Sequence, residues 1–127
     1  MSGDAVRVDV SYSNPVPLYR QIVDQIREKV LSGELAPGES LPSIRQLAED
    51  AGTSVITTKR AYSELEAEGI IVTRAGLGSF VADLDAERMK AIRMRVLGER
   101  LSEIVADARA SGVNDEELLR LLREAMR

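Results

Sequence analysis

The 127-residue chain contains no cysteine and no histidine. Their absence excludes disulfides, thiolate and imidazole metal sites, and the usual nucleophile–base pairs of covalent catalysis. Carboxylates alone could still hold Mg²⁺ or Ca²⁺, but no stretch shows the alternating Asp/Asn pattern of a calcium loop. We therefore expect a protein that is not an enzyme and that needs neither a metal nor a cofactor.

Aromatic residues and long apolar runs are also scarce. One Phe, three Tyr and no Trp leave the core to aliphatic side chains. No apolar run approaches the roughly 20 residues of a membrane-spanning helix. The first residues, MSGDAVRVDVSYS, lack the basic and apolar regions of a secretion signal. These features predict a cytoplasmic protein without a membrane partner.

Positive charge is in deficit. The chain has 17 Lys and Arg against 21 Asp and Glu, a net charge of −4, and the deficit holds both before and after residue 82. Domains that bind nucleic acid are often strongly basic. Any contact with nucleic acid must therefore rest on a local basic patch and on few phosphates.

The first third of the chain predicts an arm followed by a helix. Residues 1–14 have the pattern of an extended, mobile arm, whose alternating polar and apolar residues could add a strand or lie on a neighbour. Pro15 and Pro17 end it, because proline disfavours a helical residue before it. Apolar residues then recur every four positions from Leu18 to Val30, which predicts a helix from about Pro17 to Ser32.

Two short helical patterns and a hairpin follow. Ser43, with Gln46 at capping-box spacing, can begin the first helix, and Thr53 or Ser54 the second. The second helix should bury one face, and the hydroxyl of its Thr58 should bond to a carbonyl of the preceding turn. The strand-like runs 70–73 and 79–82 flank a glycine turn. A helix, a turn, a second helix and a two-stranded wing form an arrangement that lays one helix in a DNA groove.

Beyond residue 82 the apolar period changes to that of helix packing. One long helix is predicted from about Leu84 to Ala110, and a last helix follows Asn114 at capping-box spacing. This tail has too little core to stand alone, so we expect a two-fold dimer. Alternatively, the last helix folds back on the long one within a monomer, and both can hold. The residues expected to dimerise are Met94, Leu97, Leu101, Ile104, Leu118 and Leu122.

Several motifs occur together in residues 15–82. They are Pro17-Leu18-Tyr19, Gly33-x-Leu35-x-Pro37-Gly38, Leu41-Pro42-Ser43-x-Arg45-x-Leu47-Ala48, Tyr62-x-x-Leu65-x-x-Glu68-Gly69 and Gly76-x-Gly78-x-Phe80-Val81. In combination they resemble the N-terminal winged-helix domain of GntR-family bacterial transcription regulators. Residues 83–127, a long helix plus a short one, are similar to the YtrA subfamily, whose reduced tail serves chiefly for dimerisation.

The resemblance implies a mainly α fold with a small β-wing. It comprises the extended arm (1–14), a winged helix-turn-helix domain (15–82) and a two-helix dimerisation tail (83–127). It also implies a homodimeric transcription regulator, a repressor of a transporter operon or of its own operon, that binds a palindromic operator in double-stranded DNA. An unidentified small-molecule effector could enter an apolar cleft between dimer helices, although those side chains serve more readily as plain core.

Basic residues are expected to make the main DNA contacts. By the resemblance, Arg45 is the best single contact, and its alternative is a surface ion pair with Glu49. Lys59 offers a flexible point charge, and Arg60 can bind a guanine edge with two donors. Both could instead be ordinary solvated charges. Arg74 could reach a phosphate.

Small and apolar residues should complete the interface. Ser43, besides capping its helix, can touch a phosphate, and Ser54 or Thr57 can donate to phosphates. Val55 stands where many family members have arginine and could contact a thymine methyl group. Gly76 would let the wing approach the minor groove. The acidic charge leaves a second function open, that of a winged-helix protein-interaction module that no longer binds DNA.

Overall fold

The computed structural model describes residues 6–127, in which five helices and one hairpin follow each other. They form two compact units, one ending at Asp85 and one beginning at Ala86. The mainly α class with a small β-wing is confirmed. The elements are α1 (Leu18–Leu31), α2 (Ile44–Ala51), α3 (Val55–Ala67), β1 (Ile71–Arg74), β2 (Gly78–Val81), α4 (Ala86–Ala110) and α5 (Asp115–Ala125).

The first unit has an aliphatic core in which α3 contacts both α1 and α2. The buried positions of α3 are Thr58, Ala61, Tyr62 and Leu65, the face that the sequence predicts. The Thr58 hydroxyl donates to the carbonyl oxygen of Ser54 at 3.0 Å, so this buried polar group is satisfied as expected. The Tyr62 hydroxyl donates to the carbonyl oxygen of Pro42 at 2.7 Å, and burial raises the pKa of this phenol well above 10.0.

The wing is a tight antiparallel hairpin. Ile71 lies opposite Val81 and Arg74 opposite Gly78, each strand one residue from its predicted start. The segment 38–41 extends this sheet, since Leu41 N donates to the carbonyl oxygen of Ser79 at 2.9 Å and two further backbone bonds join residues 38 and 39 to Val81. The sequence indicates only a turn at 35–38, so the pairing of this third segment with the wing was not predicted.

From Val6 onward the arm lies along α1. The side-chain amide of Gln25 bonds both backbone groups of Asp9, at 3.0 and 2.6 Å, and that of Gln21 bonds both backbone groups of Ser11, at 2.8 and 3.0 Å. The two glutamines on α1 and their two partners on the arm have matching spacings, because four helical residues rise about 6 Å and two extended residues about 6.6 Å.

The sequence predicts a mobile arm, and the structure places residues 6–14 against α1 through these hydrogen bonds, while residues 1–5 lie outside the described part. Val6 and Val8 are buried. Residues 6–11 are extended as expected but do not become a strand of the sheet, and the chain turns at residues 12–14.

The second unit consists of α4 and α5, joined by a turn at Gly112. Asn114 Oδ1 accepts from Glu117 N at 2.9 Å while Glu117 Oε1 accepts from Asn114 N at 3.1 Å, which is the predicted capping box. No helix in the described chain is long and apolar enough to cross a membrane.

Candidate DNA interface

The start of α3 is fixed by a hydroxyl pair. Ser54 Oγ accepts a hydrogen bond from Thr57 N at 3.1 Å, so Ser54 rather than Thr53 is the N-cap. Ser54 Oγ also donates to Thr57 Oγ1 at 2.9 Å. The Ser54 proton is thereby used within the protein, whereas the Thr57 hydroxyl keeps its own proton for an external acceptor.

An exposed stripe runs along the face of α3 opposite the core, and we call it the outer stripe. Its members share the i, i+3, i+4, i+7 spacing that brings residues onto one helical face. All are exposed. The outer stripe comprises Ile56, Lys59, Arg60 and Ser63. Sequence reasoning identified the two basic members and missed Ile56, because an aliphatic side chain gives no charge signal.

Arg60 is exposed, as predicted, but it is not free. Its guanidinium carbon lies 3.8 Å from the centre of the Tyr19 ring in the first turn of α1. A guanidinium so close to an aromatic face is attracted by the ring quadrupole. Arg60 is therefore held towards α1, whereas Lys59 forms no ion pair with any residue in 6–127.

Ser43 and Arg45 lie at the beginning of α2. Ser43 Oγ accepts from Gln46 N at 3.0 Å, so Ser43 caps the helix as predicted. The capping box is only half formed. The Gln46 side-chain amide donates to Asp50 Oδ1 at 2.9 Å, and the Gln46 side chain does not bond the backbone N–H of Ser43. Arg45 is exposed. It makes no ion pair with Glu49 or any other described residue, so the alternative of a surface salt bridge is not realised.

The wing tip presents Arg74, Gly76 and Leu77. The guanidinium of Arg74 lies 5.4 Å from the centre of the Phe80 ring, and Leu77 is 72% exposed. Leu77 N donates to the carbonyl oxygen of Arg74 at 2.9 Å, which closes a four-residue turn with Gly76 in third position. Gly76 has φ +76°, a value that this turn position requires and that favours glycine. Turn geometry is thus sufficient to explain this glycine.

The arm reaches the turn between α2 and α3. The Tyr12 hydroxyl donates to the carbonyl oxygen of Gly52 at 2.6 Å. Gly52 is the left-handed C-cap of α2, with φ +70°, and stands two residues before the cap of α3. Sequence reasoning missed this contact, because nothing in the local pattern links residues so far apart.

The residues expected to dimerise all belong to the second unit. Met94, Leu97, Leu101 and Ile104 on α4 are 60%, 43%, 48% and 49% exposed. A groove of about 570 Å³ lies between α4 and α5 and is lined mainly by apolar side chains, including those of Leu118 and Leu122. Leu101 and Ile104 also line this groove, so α4 and α5 both contribute apolar side chains to it.

The chain resembles known regulators over most of its length. The family described as bacterial regulatory proteins, gntR family, matches residues 18–81. The HTH-type transcriptional repressor YtrA of Bacillus subtilis is 33% identical over 92% of this chain and 90% of its own. This chain belongs to the GntR family. It is a DNA-binding transcription regulator with the winged helix-turn-helix fold of that family.

Solved structures of other proteins are similar to this chain. The crystal structure of a transcriptional antiterminator from Listeria monocytogenes EGD-e has a TM-score of 0.70 and 33% identity, covering 93% of this chain and 88% of that one. AraR(DBD) in complex with operator ORX1 has a TM-score of 0.55 and 26% identity, covering 61% of this chain and 99% of that one. The second structure shows that domain bound to operator DNA.

Proposed function

We propose that this GntR-family chain is a homodimeric repressor that binds a palindromic operator through α2, α3 and the wing. One observation carries the proposal. In a chain with more acidic than basic residues, Arg45 and Lys59 are exposed on the two helices of the helix-turn-helix and have no ion-pair partner in residues 6–127. Cations left unpaired on this face are available to phosphates and base edges.

Each element has a distinct task in this proposal. Arg45 and Lys59 contact the DNA directly, Arg45 with its planar fork and Lys59 as a point charge. Thr57 donates its hydroxyl proton to a phosphate, while Ser54 holds the Thr57 side chain in place. Ser43 caps α2 and also lies beside the phosphate backbone of the DNA. Val55, 44% exposed, touches a thymine methyl group.

Arg60 takes a phosphate rather than a guanine edge. Its stacking on Tyr19 draws the guanidinium towards α1, and the stacked position still leaves the N–H edge of the guanidinium open to an anion. At the wing, Arg74 contacts a phosphate beside the minor groove, and the backbone at Gly76 approaches that groove without a side chain.

The tail supplies the second copy of the interface. Four apolar side chains of α4 are more than two-fifths exposed, and none of the residues of α5 is buried. Contiguous apolar surface of this kind is unfavourable in water and marks a protein interface. We place the two-fold contact on Met94, Leu97, Leu101 and Ile104 of α4, together with Leu118 and Leu122 of α5.

Repression then needs no more than occupancy of the operator. The apolar groove between α4 and α5 would be filled by the second copy, so an effector is not required to explain it. Transporter genes or the regulator's own operon are the proposed targets, and the protein acts in the cytoplasm, where the chromosome lies.

The proposal is tested by comparing two single-charge variants. Duplexes selected from a random pool by the unaltered protein define the operator, and palindromic selected sequences are expected. Arg45→Ala should weaken operator binding by about 1–3 kcal/mol while the thermal midpoint stays constant. Lys29→Ala removes the same charge from a lysine that is paired with Glu34 at 2.7 Å, and should leave DNA affinity nearly unchanged.

Two outcomes would contradict the proposal. If Arg45→Ala binds DNA as tightly as the unaltered protein does, Arg45 is not the main DNA contact. If DNA affinity does not change with salt concentration, the protein makes no phosphate contacts, because the release of counterions makes binding through phosphates strongly salt-dependent. The second outcome favours the protein-interaction module, for which the acidic net charge is the supporting observation.

A further inference from the structure

We propose that Ile56 is a specificity-determining residue that reads the 5-methyl group of a thymine in the major groove. The inference rests on the proposed function, since it assigns a base preference to the same interface. Among the large hydrophobic residues of the described chain, Ile56 is the most exposed, at 82%. It lies in the first turn of the helix that the winged helix-turn-helix lays in the groove.

The position of Ile56 separates it from other exposed aliphatic residues. It stands at the N-terminal end of the outer stripe, one turn before Lys59 and Arg60. In helix-turn-helix proteins the N-terminal residues of the recognition helix contact base edges. The cations one turn later fit phosphates, so the outer stripe presents an apolar end to the bases and a charged middle to the backbone.

Folding alone does not favour isoleucine at this position. A β-branched side chain loses rotamer freedom against the preceding helical turn. A side chain that is 82% exposed gains little packing in return. A partner that covers the side chain would offset this cost.

The major groove offers one such apolar partner. Thymine alone displays a methyl group there, and the other exposed groups are hydrogen-bond donors and acceptors that a hydrocarbon side chain cannot satisfy. Val55 is half as exposed, at 44%, and points about 100° away around the helix. Ile56 therefore adds a second, more prominent apolar contact beside Val55.

The test removes the methyl group from the DNA and the side chain from the protein. Each thymine of the selected operator is replaced in turn by deoxyuridine, and Kd is measured by fluorescence anisotropy at one salt concentration. At one position or two, loss of the methyl group should weaken binding of the unaltered protein about fourfold, the value of one buried methyl group. Ile56→Ala should bind the thymine duplex more weakly and, at one such position, should not distinguish thymine from deoxyuridine.

Matched variants separate Ile56 from its neighbours. Leu77→Ala shortens an exposed aliphatic residue of the wing tip and should retain the sensitivity to every thymine methyl group. Val55→Ala should lose sensitivity only at its own thymine and should retain it at the thymine that Ile56 reads. The proposal is overturned if Ile56→Ala keeps its sensitivity at every thymine, if Val55→Ala alone accounts for every sensitive position, or if no thymine methyl group matters to the unaltered protein. Each of these results leaves operator binding itself intact, whereas failure to select any duplex contradicts the proposed function.

Discussion

The two units of this regulator differ in how far they bury their apolar side chains. In the first unit Ile22, Ile26, Leu47 and Leu65 have no exposed surface at all. In the second unit the helices are as regular, yet α4 buries only Ile92, Val96 and Ala108, and α5 buries none of its residues.

The polar groups show the same difference. In the first unit the Arg27 guanidinium bonds the Glu68 carboxylate at 2.9 to 3.0 Å, which joins α1 to the C-cap of α3. In the second unit Arg109 and Asp115 approach only to 3.8 Å and are both well exposed. The first unit thus buries most of its apolar side chains and a close ion pair, whereas the second leaves most of its apolar side chains exposed.

The largest effect is expected from a charge in the tail. Leu101→Glu places a carboxylate in the apolar surface of α4, where a dimer would have to bury it unpaired. We expect monomers by light scattering and a loss of operator affinity on the order of 100-fold, because two linked half-site contacts become one.

Leu77→Glu is the matched control for this change. Leu77 is more exposed than Leu101, at 72% against 48%, but belongs to the first unit. Leu77→Glu should therefore stay dimeric. A dimeric Leu101→Glu would mean that the exposed face of α4 has no part in assembly, and the contrast between the units would lose its explanation.

The next effect, on stability rather than on assembly, is expected from a cavity in the first unit. Leu65→Ala removes a fully buried side chain of α3, which typically costs about 2–5 kcal/mol of unfolding free energy. Urea denaturation followed by circular dichroism measures this loss. It should be the same at every protein concentration, because the core lies within one chain.

Leu119→Ala provides the comparison in the second unit. Leu119 is 48% exposed on α5, so its truncation should matter little to a single chain and more to a dimer. Its cost should consequently depend on protein concentration. A concentration-independent cost at Leu119, equal to that at Leu65, would show that both units are closed cores.

Local features of the fold follow from the sequence, because their causes are local. Ser54 and Asn114 cap their helices through groups three residues away, and Thr58 falls on the inner face of α3 by its helical period alone. Hydrogen bonds and periodicity over one turn suffice for such features. The same reasoning places Lys59 and Arg60 on the outer side of α3.

Contacts between distant segments do not follow from local pattern. Arg60 meets Tyr19, and Tyr12 bonds Gly52, which is 40 residues away. Such pairs depend on how the arm and α1 lie against the helix-turn-helix, and one-turn periodicity carries no information about that. Ile56 was missed for another reason: the helical period places it on the outer face, but an aliphatic side chain gives no charge signal.

The smallest effect is expected from one hydroxyl of the arm. Tyr12→Phe removes the donor to Gly52, and an exposed hydrogen bond of this kind contributes about 0.5–1.5 kcal/mol. Because Gly52 lies two residues before the cap of α3, we expect weaker operator binding together with faster amide exchange at residues 52–57. Tyr19→Phe removes a hydroxyl but keeps the ring beneath Arg60, and should change neither measurement. Equal exchange in both variants would mean that the arm is attached to the first unit without bracing its DNA-binding helix.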